Sequence, residues 1–343
     1  MNSTWLTFLA TRGARVENGV VADFGDATAE LAAVASESIL ADLSALGVIA
    51  VAGADARAFL HAQLSCDVDG LQDTDSAYGA YCSPKGRVLA NFLLWQESEA
   101  FHMLLPRALV RAIQMRLQMF VLRSKVTLAD RSNDLVVLGI SGSMAARAVA
   151  SAVGAPPQRA LQVARGDGCT MIALSTTRVV LAASVELAPT LWDRLTHTLK
   201  PAGTRCWEWL EISNGLPWIT PATQDRFVPQ MANLELIGAV NFQKGCYPGQ
   251  EIVARLQYRG TPKRRLHLAH VRSDAMPAPG QELFSDDSSG QEAGMVVNAA
   301  PAPGGGFDVL AVVQTGSATR AKVHLGSASG PELRFRALPY PVT

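Results

Sequence analysis

The sequence predicts an α+β protein in which strand pairs and single helices give way to a run of short antiparallel strands. Three observations carry this. Residues 88–200 alternate strand pairs with single helices, which is not the strand–helix alternation of a doubly wound sheet. From residue 266, short apolar runs are separated by Pro, Gly, Ser and Asp clusters, the punctuation of a small antiparallel barrel or sandwich. The chain has 343 residues, 48% hydrophobic and only 17% charged, so it can bury two or three cores and is not disordered overall.

Taken in order, the first 40 residues carry no firm pattern, and the Ala-rich stretch 26–41 suits a helix or a lead-in. A buried strand is expected at 47–51. Gly53-Ala54-Asp55 ends it and caps a helix over 56–64, with Phe59, Leu60 and Leu64 on one face. Strands follow at 88–95 and 101–105. Pro106 then opens an amphipathic helix to 119, with Leu109, Val110, Ile113, Leu117 and Phe120 at helical spacing. Further strands at 126–128 and 135–140 precede a helix at 143–153. A hairpin at 171–183 turns at Thr176-Thr177-Arg178 and leads to a helix over 187–199. The two β–β–α runs suggest a pseudo-repeat. A boundary near 260–265 divides the chain into 1–262 and 263–343. Beyond it, strands are expected at 266–271, 295–297, 309–313 and 321–325.

Lys plus Arg equals Asp plus Glu at 30 each, which argues against a general nucleic-acid coat. No apolar run approaches the ~18 residues of a membrane span. The N-terminus lacks the pattern of a signal peptide, so the expected compartment is the cytoplasm. The five cysteines, Cys66, Cys82, Cys169, Cys206 and Cys246, are dispersed without a CxxC or Cys/His cluster. That suits a reducing compartment and gives no signature of a metal held by this chain alone. His61, His102, His197 and His270 have no ligand spacing and are assigned no role.

One segment stands apart, Lys244-Gly245-Cys246-Tyr247-Pro248-Gly249-Gln250-Glu251, followed by Arg255. Pro248 suits a first helical position, with Glu251 in the first turn. Cys246 would then lie just before a helix N-terminus and near the Lys244 ammonium, both of which favour thiolate. Gly245 and Gly249 would let other groups approach the backbone closely. Read from its residues, Cys246 is either a reactive or metal-donating thiol, or a small buried hydrophobe in a tight loop.

This segment resembles the K-G-C-[FY]-x-G-Q-E signature of the folate-binding YgfZ family, whose eukaryotic relative is a mitochondrial iron–sulfur assembly factor. The blocks Val51-Ala52-Gly53-Ala54-Asp55, Ser83-Pro84-Lys85-Gly86-Arg87, Leu122-Arg123-Ser124-Lys125-Val126, Phe227-Val228-Pro229-Gln230 and Leu338-Pro339-Tyr340 are similar to family blocks as well. The resemblance implies the fold of the glycine cleavage T-protein: two mixed α/β subdomains and a C-terminal antiparallel β-barrel in a ring around a folate pocket. It implies tetrahydrofolate or a derivative as ligand. The implied role is assembly or repair of iron–sulfur enzymes, including those that modify tRNA. Cys246 would be the functional thiol, Lys244 its activator, and Glu251 would orient the loop.

Where the T-protein carries its essential aspartate, this sequence has Asn91. An amide cannot stabilise a cationic amine as a carboxylate does, so aminomethyl transfer is disfavoured and Asn91 reads as a cap on a strand end. The resemblance places the folate pocket at Trp207, for ring stacking, at Leu46, where relatives carry an aromatic, and at Ser213, where many carry a carboxylate. The basic run Arg255, Arg259, Lys263, Arg264, Arg265 and His267 reads first as a solvated face, then as a contact for a folate glutamate tail or an acidic partner. The expected partners are folate and iron–sulfur assembly proteins or client enzymes. Neither a membrane nor direct tRNA contact is expected.

Overall fold

A computed structural model describes residues 3–287 and 291–342. The chain forms two compact units, each built from three segments: Met1–Arg57, Gly70–Ala77 and Leu93–Trp207 in the first, and Ala58–Asp69, Tyr78–Phe92 and Glu208–Thr343 in the second. The chain passes between them inside the strands Ser76–Cys82 and Val88–Glu97.

In unit one, a six-stranded sheet runs in the order Val163–Gly166, Cys169–Ser175, Arg178–Ser184, Leu135–Ser141, Ile39–Asp42 and Lys200–Ala202. All neighbours are antiparallel except the last pair. The hairpin turns at Thr176 and Thr177 as its sequence predicts. Helices Ser3–Thr11, Ala145–Ala152 and Ala188–Leu195 contribute to one apolar core with this sheet. Trp5 packs edge-on against Trp192 at 5.8 Å, and its indole N–H donates to buried Asp42 at 2.7 Å. Burial pushes the Asp42 carboxyl up, against the pull of those hydrogen bonds.

In a second sheet, Leu46–Ala52 lies between Ala100–Pro106 and Thr127–Asp130, antiparallel to both. The helix Arg107–Gln118 packs on it through Leu109, Val110, Ile113 and Leu117 of the expected apolar face, whereas Phe120 lies past the helix end and is exposed. Gly47 makes that approach possible: a Cβ there would lie 2.8 Å from Val110 and 2.6 Å from Ser132 Oγ. The runs 88–119 and 171–195 are each a hairpin followed by a helix, but the run between them is not: Thr127–Asp130 pairs with Leu46–Ala52, whereas Leu135–Ser141 lies in the six-stranded sheet between Arg178–Ser184 and Ile39–Asp42.

Unit two contains a six-stranded, wholly antiparallel sheet curled as a half-barrel. Its order is Val323–Leu325, Glu282–Ser285, Glu292–Pro301, Phe307–Gln314, Arg264–Val271 and Arg334–Arg336. Its concealed face carries Ala269, Val271, Leu283, Val296, Val309 and Val313. A bulge between Val296 and Asn298 offsets the strand alternation. Asn298 thereby reaches the irregular segment after helix Thr204–Ser213. Its Oδ1 accepts from Trp218 N–H and its Nδ2 donates to Trp218 C=O, both at 2.9 Å. Among the described residues, no helix is long and apolar enough to cross a membrane.

Candidate functional site

The Cys246 loop is fixed on both sides within unit two. Asn241 Oδ1 accepts from the backbone N–H of Gln243 and Lys244, closing an Asx turn. Asn241 N–H donates to Ser65 C=O, and Ser65 Oγ donates to Ala239 C=O. On the far side, helix Gln250–Arg259 starts at Gly249, not at Pro248. Gly249 is the N-cap at φ +79°, and a Cβ there would lie 2.4 Å from Ser83 C=O and 2.6 Å from Gly86. Only glycine fits this contact, so the turn 83–87 sets where the helix begins. Cys246 is separated from the cap by Tyr247 and Pro248, and therefore stands outside the helix's first turn. Gly245 is different: a Cβ there would meet only the His61 ring, at an ordinary 3.5 Å from Nε2 and 3.9 Å from Cδ2.

Lys244 has a structural duty that its sequence position did not reveal. Its ammonium donates to His61 C=O and, at 2.6 Å, to Leu64 C=O, at the C-terminal end of helix Ala56–Gln63. Cations are favoured there because the last helical carbonyls lack partners. It also sits 5.1 Å above the Tyr247 ring. Burial pulls the Lys244 ammonium below its ordinary range, opposed by the nearby carboxylates of Asp67 and Asp69. Gln250 Nε2 donates to Lys244 C=O at 3.4 Å. Glu251 is exposed, and no hydrogen bond or ion pair ties its carboxylate to the loop among the described residues, so the expected orienting role has no contact behind it. Arg255 is exposed on the same helix.

Cys246 is exposed, whereas Cys66, Cys82, Cys169 and Cys206 are buried. Burial pushes each of those four thiols up to about 12. Beside the loop stands His61, which sequence reasoning passed over. Its Nδ1 lies 3.4 Å from carboxylate oxygens of both Asp67 and Asp69 and accepts from Asp69 N–H at 3.3 Å. A lone histidine so far from the motif in sequence offers no signal; only folding brings them together. Among the described residues, no three His, Cys, Asp or Glu side chains converge as a metal ion would need.

The residues expected around folate fall in both units. Trp207 ends unit one and is 4% exposed. Its ring presses on Gly139, where a Cβ would be 2.5 Å away, and the Arg178 guanidinium lies 4.7 Å from its centroid. Leu46 borders a cavity of about 10 Å³, room for one water molecule. Ser213 is in unit two, and its hydroxyl donates back to Leu210 C=O at 3.0 Å.

Asn91 stands inside strand Val88–Glu97 and not at its end, as expected for a cap. It is buried. Nδ2 donates to Pro217 C=O at 2.7 Å and Oδ1 accepts from Ile219 N–H at 2.8 Å. With Asn298 on the intervening residue, two asparagines stitch 217–219 in place as a sheet neighbour would.

The basic run is not one solvated face. Arg265 is buried and pairs with Glu235, Arg264 pairs with Glu292 at 3.1 Å, and His267 is half-buried against Phe335. Arg255, Arg259 and Lys263 remain exposed.

The GCVT N-terminal domain matches residues 22–244. The tRNA-modifying protein YgfZ of Klebsiella pneumoniae (strain 342) is 33% identical over 236 residues, covering 68% of this chain and 72% of its own. The chain belongs to the YgfZ family. The YgfZ protein of Pectobacterium carotovorum is 30% identical over 294 residues, covering 85% of this chain and 88% of its own. The fold matches the glycine cleavage system aminomethyltransferase T from Bartonella henselae at a TM-score of 0.80, with 98% of this chain and 96% of that one aligned at 19% identity. This chain therefore has the T-protein fold, as its resemblance to the YgfZ family implied.

Proposed function

We propose that this chain is a folate-binding accessory protein for assembly or repair of iron–sulfur enzymes, including those that modify tRNA, with Cys246 as its working thiol. One observation carries the reading. Of five cysteines, the four outside the motif are buried, and the one within it stands exposed on a braced loop. Such a thiol can meet a macromolecular partner. Lys244 serves it by holding the loop on the helix end.

Folate is supported by the GCVT N-terminal domain and the T-protein fold, not by the side chains of Trp207, Leu46 and Ser213. Trp207 is covered, Leu46 offers no ring, and the Ser213 hydroxyl is engaged within its own helix. Aminomethyl transfer would need a carboxylate where Asn91 stands, and both ends of that amide are committed to backbone groups.

The test is Cys246→Ser in a strain lacking the native gene, read as the level of a thiomethylated tRNA. The variant should keep its melting temperature, because the site is exposed and S→O is nearly isosteric, and should fail to restore the modification. Full restoration at normal abundance would leave Cys246 without a function. In parallel, tetrahydrofolate should raise the melting temperature of wild type and variant alike; no shift at millimolar ligand would remove folate from the reading.

A further inference from the structure

The turn Ser83-Pro84-Lys85-Gly86-Arg87 does more than receive Gly249. It forms one wall of a cleft of 530 Å³ within unit two, whose charged lining is Lys85, Arg87, Asp225, Arg226, Arg264 and Glu292. Four cations thus face two carboxylates. Glu292 is taken by Arg264, whose guanidinium reaches both its side chain at 3.1 Å and its carbonyl at 3.2 Å. Asp225 Oδ1 accepts from Ser83 Oγ at 2.9 Å. Arg87 is held in place by donating to Arg226 C=O. Lys85 and Arg226 are exposed, and neither side chain makes a hydrogen bond or ion pair among the described residues.

Concentrating like charges in one concavity raises the local potential and is unfavourable unless an anion shares it. Guanidinium forks match the oxygens of phosphate two at a time, and an ammonium adds a mobile point charge. The excess of two positive charges matches a phosphate monoester, about −1.5 to −2 near neutral pH. We propose that this cleft binds a phosphate group. Lys85 and Arg226 supply the free donors, Arg87 and Arg264 the anchored ones, and Asp225 is an acceptor for a ligand hydroxyl. A small phosphorylated molecule and an RNA backbone offer the same chemistry. The cleft and the Cys246 helix share the turn 83–87, since a Cβ on Gly86 would lie 2.9 Å from Ile252. The assignment does not depend on the role given to Cys246.

The experiment uses the full chain at low ionic strength with inorganic pyrophosphate and, separately, a short single-stranded RNA. The variants are Lys85→Ala/Arg226→Ala and, as a charge control, the exposed Arg147→Ala of unit one. Pyrophosphate should stabilise the intact protein and the control, and bind the double variant at least about tenfold more weakly. If RNA alone binds, with the same loss in the double variant, the phosphate recognised is that of a nucleic-acid backbone. If neither ligand binds, or the double variant binds as well as the control, the proposal is overturned.

Discussion

Burial divides the thiols of this chain. A thiolate is the nucleophile, so a thiol raised to about 12 and shielded from solvent is inert at neutral pH. Alkylation of the folded protein should therefore modify Cys246 first and leave Cys66, Cys82, Cys169 and Cys206 unlabelled until denaturant is added. Peptide mass spectrometry reads this, and labelling of Cys66 at the rate of Cys246 would contradict the geometry. Asn91 gives a second test at the same scale. In Asn91→Asp, the carboxylate still accepts from Ile219 N–H but cannot donate to Pro217 C=O, and it places a charge in a buried strand. The variant should lose about 3 kcal/mol or more, seen in chemical denaturation, without gaining aminomethyl transfer. The sequence marked Asn91 as the departure from the T-protein pattern. Its true partners at 217–219 were invisible there because they are joined to it only by folding.

Elements stabilised by their own periodicity were the legible ones. The helix Arg107–Gln118 and the hairpin of Cys169–Ser175 with Arg178–Ser184 carry their buried faces in local spacing, and both lie where expected. Ile39–Asp42 escaped because it is short and buried at every position, and Ser76–Cys82 because its Ser, Gly and Ala residues imitate a loop. The strand Glu292–Pro301 is legible only at its centre, since the bulge between Val296 and Asn298 breaks the alternation. Within this sheet, Asp308 ties three strands and a helix together. Its carboxylate meets His270 at 2.9 Å, Trp209 Nε1 at 2.8 Å and Arg336 at 2.5 Å. Burial alone would raise its pKa, but the hydrogen bonds from Arg336, His270 and Trp209 hold it below the usual carboxylate range. A depressed folded-state pKa adds stability above the unfolded value of about 3.9, and that stability is lost as pH falls through the folded value. Asp308→Asn should thus be less stable at pH 7, and its denaturation midpoint should fall less than that of the parent between pH 5 and 3. Parallel acid dependence in the two proteins would show that the carboxylate is not what holds the strands.

At the scale of the whole molecule, composition and contact place limits on the chain differently. Texture changes near residue 262, and 263–343 reads as a separate block. Yet unit two draws on Ala58–Asp69, Tyr78–Phe92 and Glu208 onward together. Buried Asn233 donates to Leu266 C=O at 3.0 Å, and Arg265 pairs with buried Glu235 and donates to Gln230 C=O at 2.9 Å. Tyr340 donates to Gly215 C=O at 2.7 Å, and Asn298 satisfies both backbone groups of Trp218. A chain ending at 262 would keep the acceptors and donors on one side of each pair and lose the other. An orphaned buried polar group costs about 1–3 kcal/mol and an uncompensated buried charge about 3–5 kcal/mol. Together these approach the whole stability of a domain, about 5–15 kcal/mol. The fragment 1–262 should therefore fail to order its part of unit two. In hydrogen exchange, amides of 208–259 should be unprotected in the fragment, while the six-stranded sheet of unit one, all of whose strands precede residue 263, keeps its protection. Native-like protection of 208–259 in the fragment would mean that the break in composition is also a break in folding.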